Sequence, residues 1–154
     1  MTETRESVMG PIKKAAAICY RRKDTSIEIL LVRAHGGGWI FPKGTIEPDE
    51  NAWQAAQREA FEEAGITGEI LHKRLTTFLH FKQSSRDAGT EYHVAAFLLL
   101  VMSMQSPQEK ERQPTWFSPE DAERAIIQFK QSKYAEEVKR VIRLAVADLT
   151  GSRP

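Results

Sequence analysis

Residues 44–66 read GTIEPDENAWQAAQREAFEEAGI, a pliant turn followed by a helix that carries a knot of acids. Asp49 is placed as the helix N-cap, Glu50 to Ala64 are mostly strong helix formers, and Gly65 stands where a left-handed C-terminal cap is wanted. Glu59, Glu62 and Glu63 lie at i, i+3 and i+4. On a helix these side chains fall within an arc of roughly 100°, with Trp53, Ala56, Ala60 and Ala64 on an adjacent arc able to face a core.

Like charges at this spacing destabilise an isolated helix by a few tenths of a kcal/mol, so the crowding calls for a partner. Hard divalent cations such as Mg²⁺ take one or two carboxylates together with waters and substrate phosphates, so converging acids beside a flexible turn make a metal platform. The Lys43-Gly44 turn offers a backbone carbonyl as a further ligand, and an Arg58–Glu50 ion pair would orient the acids. Helices rich in Arg and Glu are also commonly just solvated faces, and the acids alone leave that reading open.

On the N-terminal side, Ala15 to Tyr20 and Ile27 to Ala34 read as strands joined by the polar turn Arg21 to Ser26. The turn His35-Gly36-Gly37-Gly38 leads to the short apolar Trp39-Ile40-Phe41. On the C-terminal side, Glu69 to Phe81 and Glu91 to Met102 read as strands separated by the loop Gln83 to Thr90. Ser103 to Pro114 is a polar connection, and Ser118-Pro119-Glu120-Asp121 opens a helix that ends near Phe129. Tyr134, Val138, Val141, Ile142, Ala145 and Leu149 form the apolar stripe of a final helix. The mixture predicts an α/β domain with helices covering a sheet, spanning 12–150 between tails at 1–11 and 151–154.

Composition narrows the function. With 154 residues, 41% hydrophobic and 28% charged, the chain can bury a core, which excludes wholesale disorder. Lys plus Arg at 22 against Asp plus Glu at 21 leaves +1, against a dedicated nucleic-acid binder. The single cysteine, Cys19, fits a reducing, cytoplasmic setting. The longest apolar run, Val94 to Met102, is far short of the ~20 residues that span a bilayer, and the N-terminus carries no apolar core of the signal-peptide kind. His35, His72, His80 and His93 show no metal-ligand spacing, and Trp39, Trp53 and Trp116 read as core residues.

The 44–66 stretch resembles the signature of the Nudix hydrolase family. Gly44, Glu50, Arg58, Glu59, Glu62, Glu63 and Gly65 fill its fixed positions, with Ala60 and Ile66 in its apolar slots. At roughly 6% usage per fixed residue, such a match arises by chance on the order of once in a million chains or less. The resemblance implies an α/β/α sandwich with a mixed sheet and hydrolysis of a diphosphate linkage assisted by Mg²⁺, with Mn²⁺ as a substitute. It also implies that Glu59, Glu62 and Glu63 are metal ligands, one of them doubling as the base, with Arg58 in the catalytic set and Glu50 and Gly65 in support. Glu91, at the mouth of an apolar strand, is the candidate for a further ligand from downstream.

The substrate is read more coarsely. Lys13 to Arg21, Glu28 to Val32, Trp39 to Pro42 and Trp116-Phe117 are similar to the branch that hydrolyses diphosphoinositol polyphosphates. Phe41-Pro42-Lys43-Gly44 looks more like the branch that hydrolyses diadenosine polyphosphates. Lys13, Lys14, Arg33, Lys43 and the Gly44 backbone are candidates for phosphate binding, while Arg86 is the single basic residue of the 83–90 loop, fewer than the inositol branch leads one to expect. Nucleoside triphosphates and nucleotide sugars are alternative substrates, and a non-catalytic sensor of a phosphorylated ligand is the alternative of another class.

Overall fold

The computed structural model describes residues 11–82, 89–128 and 132–151. The expected N-terminal tail before residue 11, the 83–88 segment with Arg86, Phe129 and the tail from residue 152 lie outside the described residues.

Strands β1 (Lys14–Lys23) and β2 (Ser26–Arg33) form the expected hairpin. Its turn is tighter than the sequence reading, with only Asp24 and Thr25 between the strands and Asp24 at a φ of 56°. The polar Arg21 stays in the ladder because its partner across the strands is Glu28, whose Oε1 accepts from Arg21 Nε at 2.8 Å. After β3 (Trp39–Ile40) on β2, the short β4 (Lys43–Thr45) pairs with the start of β1, Lys14 opposite Thr45 and Ala16 opposite Lys43.

The long strand β7 (Thr90–Met104) runs parallel to β1 from Val94 opposite Lys14 to Leu100 opposite Tyr20. Its other edge is shared by β6 (Thr76–Lys82) and β5 (Ile66–Ile70), both antiparallel. The expected strand Glu69 to Phe81 is therefore two strands, a correction with a local cause. The polar His72, Lys73 and Arg74 bulge to solvent, while Leu71 N–H and Leu75 N–H donate to Leu98 O and Ala96 O on either side of the break. Strand β8 (Thr115–Phe117) pairs with β2.

Lys14 to Tyr20 are all buried in β1, and Leu30 to Val32 in β2, so both faces of the sheet are covered. Helix α1 (Ala52–Ala64) packs on β1, β4, β5 and β7. Helices α2 (Pro119–Ile127) and α3 (Ser132–Thr150) pack on each other, α2 against β2 and β8 and α3 against β6. Among the described residues the molecule is an α/β fold with a mixed sheet flanked by three helices. Ser118 caps α2 as read, and Tyr134, Val138, Val141, Ile142 and Ala145 of α3 are buried. No helix among the described residues is long and apolar enough to cross a membrane.

Helix α1 starts two residues later than the sequence reading. Its N-cap is Asn51, not Asp49: Asn51 Oδ1 accepts from Gln54 N–H and Gln54 Oε1 accepts from Asn51 N–H, satisfying two donors at once. Glu50 is thereby released from the helix. The packed face holds Ala55, Ala56, Ala60 and Ala64; Trp53 is only half-buried and stacks on His72, centroids 3.7 Å apart. The alanines let the helix approach the sheet closely, and Glu59 and Glu63 are buried with them, so the acidic arc overlaps the packing arc.

Gly65 ends α1 in the left-handed region at φ 69°, and a Cβ there would lie 1.8 Å from Gln105 O. Both the conformation and the space exclude a side chain. Gly65→Ala is expected to lower the unfolding free energy by more than ~1–2 kcal/mol, read from the urea midpoint.

Candidate functional site

The site starts from a close approach between a strand and a helix. In β4, a Cβ at Gly44 would sit 2.0 Å from Glu59 Oε2, so only the bare backbone of glycine lets this carboxylate lie against the strand. One residue earlier, Lys43 N–H donates to Glu63 Oε1 at 3.4 Å. The Glu59 and Glu63 carboxyl groups are thus buried side by side against β4.

Two acids this close and this buried cannot both ionise cheaply. Burial pushes the Glu63 carboxyl up to about 8, with the charge of Glu59 adding to the rise while Arg112 and Lys43 oppose it. Burial raises Glu59 as well. A bound cation would relieve the same crowding of charge.

Arg58 organises the outer acids. Its Nε and Nη2 donate to the two oxygens of Glu50 at 3.2 and 2.6 Å, its Nη2 to Thr45 O at 3.0 Å, and its Nη1 to Glu59 Oε2 and Glu62 Oε2 at 3.0 and 3.3 Å. The bond to Arg58 holds the Glu50 carboxyl below its ordinary value. Release of Glu50 from the helix puts it in reach of this fork.

Beyond the helix the structure departs from expectation. Carboxylate oxygens of Glu59, Glu62 and Glu109 lie within 4.8 Å of one another, and Glu63 stands beside this group. The downstream acid beside the helix is thus Glu109, not Glu91. Glu109 precedes a 3-10 turn (Lys110–Arg112) in the polar connection between β7 and β8. The Glu91 carboxylate is instead held by Lys133 Nζ at 2.9 Å and Tyr134 OH at 2.7 Å, bonds that lower its pKa, Lys133 first. No periodicity marks a loop residue such as Glu109; the one sequence signal is its i, i+3 spacing to Arg112, whose Nε donates to it at 2.8 Å.

A cleft of about 920 Å³ opens over these acids. Lys14 and Lys43 face it, Lys14 nearly buried with Nζ 3.3 Å from Thr45 Oγ1 and 4.5 Å from the Tyr92 ring centroid. Lys13 and Arg33 are not among its lining residues. Lys13 contributes its carbonyl to Ile46 N–H, and the Arg33 guanidinium lies 4.0 Å over the Trp39 ring and donates to Gly37 O. Trp39, His35, His80, Phe81 and Tyr134 also line the cleft. Oxygen donors grouped this tightly, beside a buried pair of carboxyls whose pKa values burial raises, fit a hard divalent ion.

A sheet that gathers carboxylates and lysines into one cleft makes a site able to hold a divalent ion and an anionic substrate. Residues 11–140 match the NUDIX domain, and the chain belongs to that family of diphosphate hydrolases. It is 31% identical over 131 residues to diphosphoinositol polyphosphate phosphohydrolase 2 of Rattus norvegicus, covering 84% of this chain and 70% of that protein. Identity to diphosphoinositol polyphosphate phosphohydrolase 3-beta of Homo sapiens is also 31%, over 84% of this chain and 77% of that one. The crystal structure of a C. elegans Ap4A hydrolase binary complex is similar with a TM-score of 0.67 and 30% identity, covering 91% of this chain and 98% of that one.

The Glu63 carboxyl has a consequence for stability. A folded-state pKa raised from 4.5 to about 8 means that its contribution is complete below about 4.5 and is lost as pH rises through about 8. The melting temperature of the metal-free protein is expected to fall across that window, and Glu63→Gln to flatten the fall.

Proposed function

We propose that this chain hydrolyses a diphosphate linkage in a dinucleoside polyphosphate with Mg²⁺, or Mn²⁺ in its place, held by Glu59, Glu62 and Glu109. The convergence of these three carboxylates inside one cleft is the observation that carries the reading. Glu59, Glu62 and Glu109 would hold the ion, which would supply charge to phosphate oxygens and lower the pKa of a coordinated water.

The chain's own groups do the rest. Once a bound cation had lowered its raised pKa, Glu63, buried beside Glu59, would take the proton of the attacking water, because the other three glutamates turn their oxygens toward one another. The water oxygen bonds to phosphorus, the bridging P–O bond breaks, and the leaving phosphate departs with the bridging oxygen and its electron pair. Arg58 and Glu50 keep Glu59 and Glu62 in place, and Lys14 and Lys43 offer charge to the polyphosphate. The Lys43 carbonyl remains a candidate further ligand.

The cleft walls favour a nucleotide. Trp39, Phe81 and Tyr134 line it, and a base has a π-face that such rings can hold, whereas a phosphorylated inositol calls for cations alone. Of the cations present, Arg58 and Arg112 are already paired with carboxylates. The 31% identity to a diphosphoinositol polyphosphate phosphohydrolase makes that substrate the second reading. The intact acid set favours a hydrolase over a sensor, which has no use for so many metal-facing carboxylates. We place the enzyme in one domain at 12–150 and in the cytoplasm, as the lone, buried Cys19 suggests.

The decisive experiment is a panel of dinucleoside polyphosphates, diphosphoinositol polyphosphates, nucleotide sugars and nucleoside triphosphates with Mg²⁺, products resolved by phosphate analysis. Turnover is expected for the dinucleoside polyphosphates, to vanish with EDTA and to return with Mn²⁺. Glu59→Gln and Glu62→Gln, folded by circular dichroism, are expected to lose ~10²-fold or more in kcat, about 2.7 kcal/mol of barrier. Inactivity on the whole panel, with the protein folded, turns the assignment toward the sensor.

A further inference from the structure

We propose that Arg112 is a positioning residue, whose buried guanidinium holds the connection between β7 and β8 in the one shape that sets the Glu109 carboxylate beside Glu59 and Glu62. The inference rests on the reading that these acids bind a divalent ion.

The connection is moored to α1 by two backbone bonds, Gln105 N–H to Gly65 O at 2.9 Å and Glu109 N–H to Glu62 O at 3.2 Å. These place the main chain of Glu109 but leave its side chain three rotatable bonds, and an ordered loop glutamate costs rotamer entropy. Arg112 supplies what the backbone does not. It is 8% exposed, and Nε donates to Glu109 Oε1 at 2.8 Å while Nη1 donates to Arg33 O at 2.9 Å. Nη2 lies 3.0 Å from His35 Nε2 and 3.6 Å from Glu63 Oε2.

A guanidinium has donors only, so His35 Nε2 is the acceptor in that contact and the ring proton sits on Nδ1. One planar group thus ties together the end of β2, the glycine turn, helix α1 and the acid-bearing loop. Gln113, the next residue, holds a φ of 48°, a conformation a non-glycine residue keeps only where its surroundings over-determine it. A lysine could supply the charge but not the fork.

The competing view is that Arg112 merely offsets negative charge. The two views predict opposite signs. A cation beside a metal site opposes metal binding, so if charge were all, removing Arg112 would tighten the site. If Arg112 sets the geometry of Glu109, removing it weakens the site, because loss of a ligand's orienting partner lowers metal affinity by ~10–100-fold.

The test is Mn²⁺ binding by the full chain, followed by the electron paramagnetic resonance signal of the free ion, for wild type, Arg112→Gln, Arg112→Lys, Glu109→Gln and the Glu109→Gln/Arg112→Gln double variant. Expected are a ~10–100-fold loss of affinity in Arg112→Gln, a loss also in Arg112→Lys, and a double variant no weaker than Glu109→Gln alone. Amide exchange over residues 105–114 is expected to quicken in Arg112→Lys, which keeps the buried charge and so carries the test if the glutamine variant fails to fold. Unchanged or tighter Mn²⁺ binding in either Arg112 variant, or losses that simply add in the double variant, overturns the positioning role. Wild type that binds no Mn²⁺ overturns the metal reading instead.

Discussion

The contact on which the rest of this molecule depends is the burial of the Glu59 and Glu63 carboxyls in the seam between α1 and the sheet. A helix with alanine at 55, 56, 60 and 64 comes close enough to β1 and β4 that its acids are drawn in with its methyl groups. Gly44 leaves room for the Glu59 carboxylate against the strand, since a Cβ there would lie 2.0 Å from Glu59 Oε2. Carboxylates removed from water must be paired, protonated or bound to metal. The fold therefore carries a demand for positive charge at a single spot.

Each neighbouring element answers part of that demand. Arg58 reaches Glu59 and Glu62 farther along its own helix and Glu50 ahead of the helix start. Arg112 comes from the opposite side and reaches Glu63 and Glu109. With the acids held from two directions, a divalent ion would meet oxygens already in place, and little rearrangement would accompany binding. The same arrangement leaves the aromatic and lysine walls of the cleft to deal with the rest of a substrate.

The outer wall of the cleft has its own supports. Glu137 on α3 accepts from Leu79 N–H, and Arg140 donates to Thr76 Oγ1 and Thr77 O, so the open edge of β6 is closed by side chains in place of another strand. This seam fixes Tyr134 relative to Phe81, ring centroids 5.5 Å apart.

Much of this was legible in the order of residues. The spacing of Glu59, Glu62 and Glu63, the glycines on either side, the hairpin and the apolar stripe of α3 depend on local periodicity, which a sequence states directly. The break at 71–75 was not legible, because alternation looks the same in one strand as in two that share a partner. The N-cap fell on Asn51 because a reciprocal pair with Gln54 outweighs the bare preference of Asp49. The i, i+3 spacing of Glu109 and Arg112 does not by itself point to the acids of α1, while Glu91, at a strand mouth, looked the better ligand until Lys133 and Tyr134 were seen to hold it. The chain by itself determined which acids share a helical face, since that follows from the helix repeat; only the tertiary structure decided which distant acid joins them, since that depends on where a loop is pinned by a buried guanidinium.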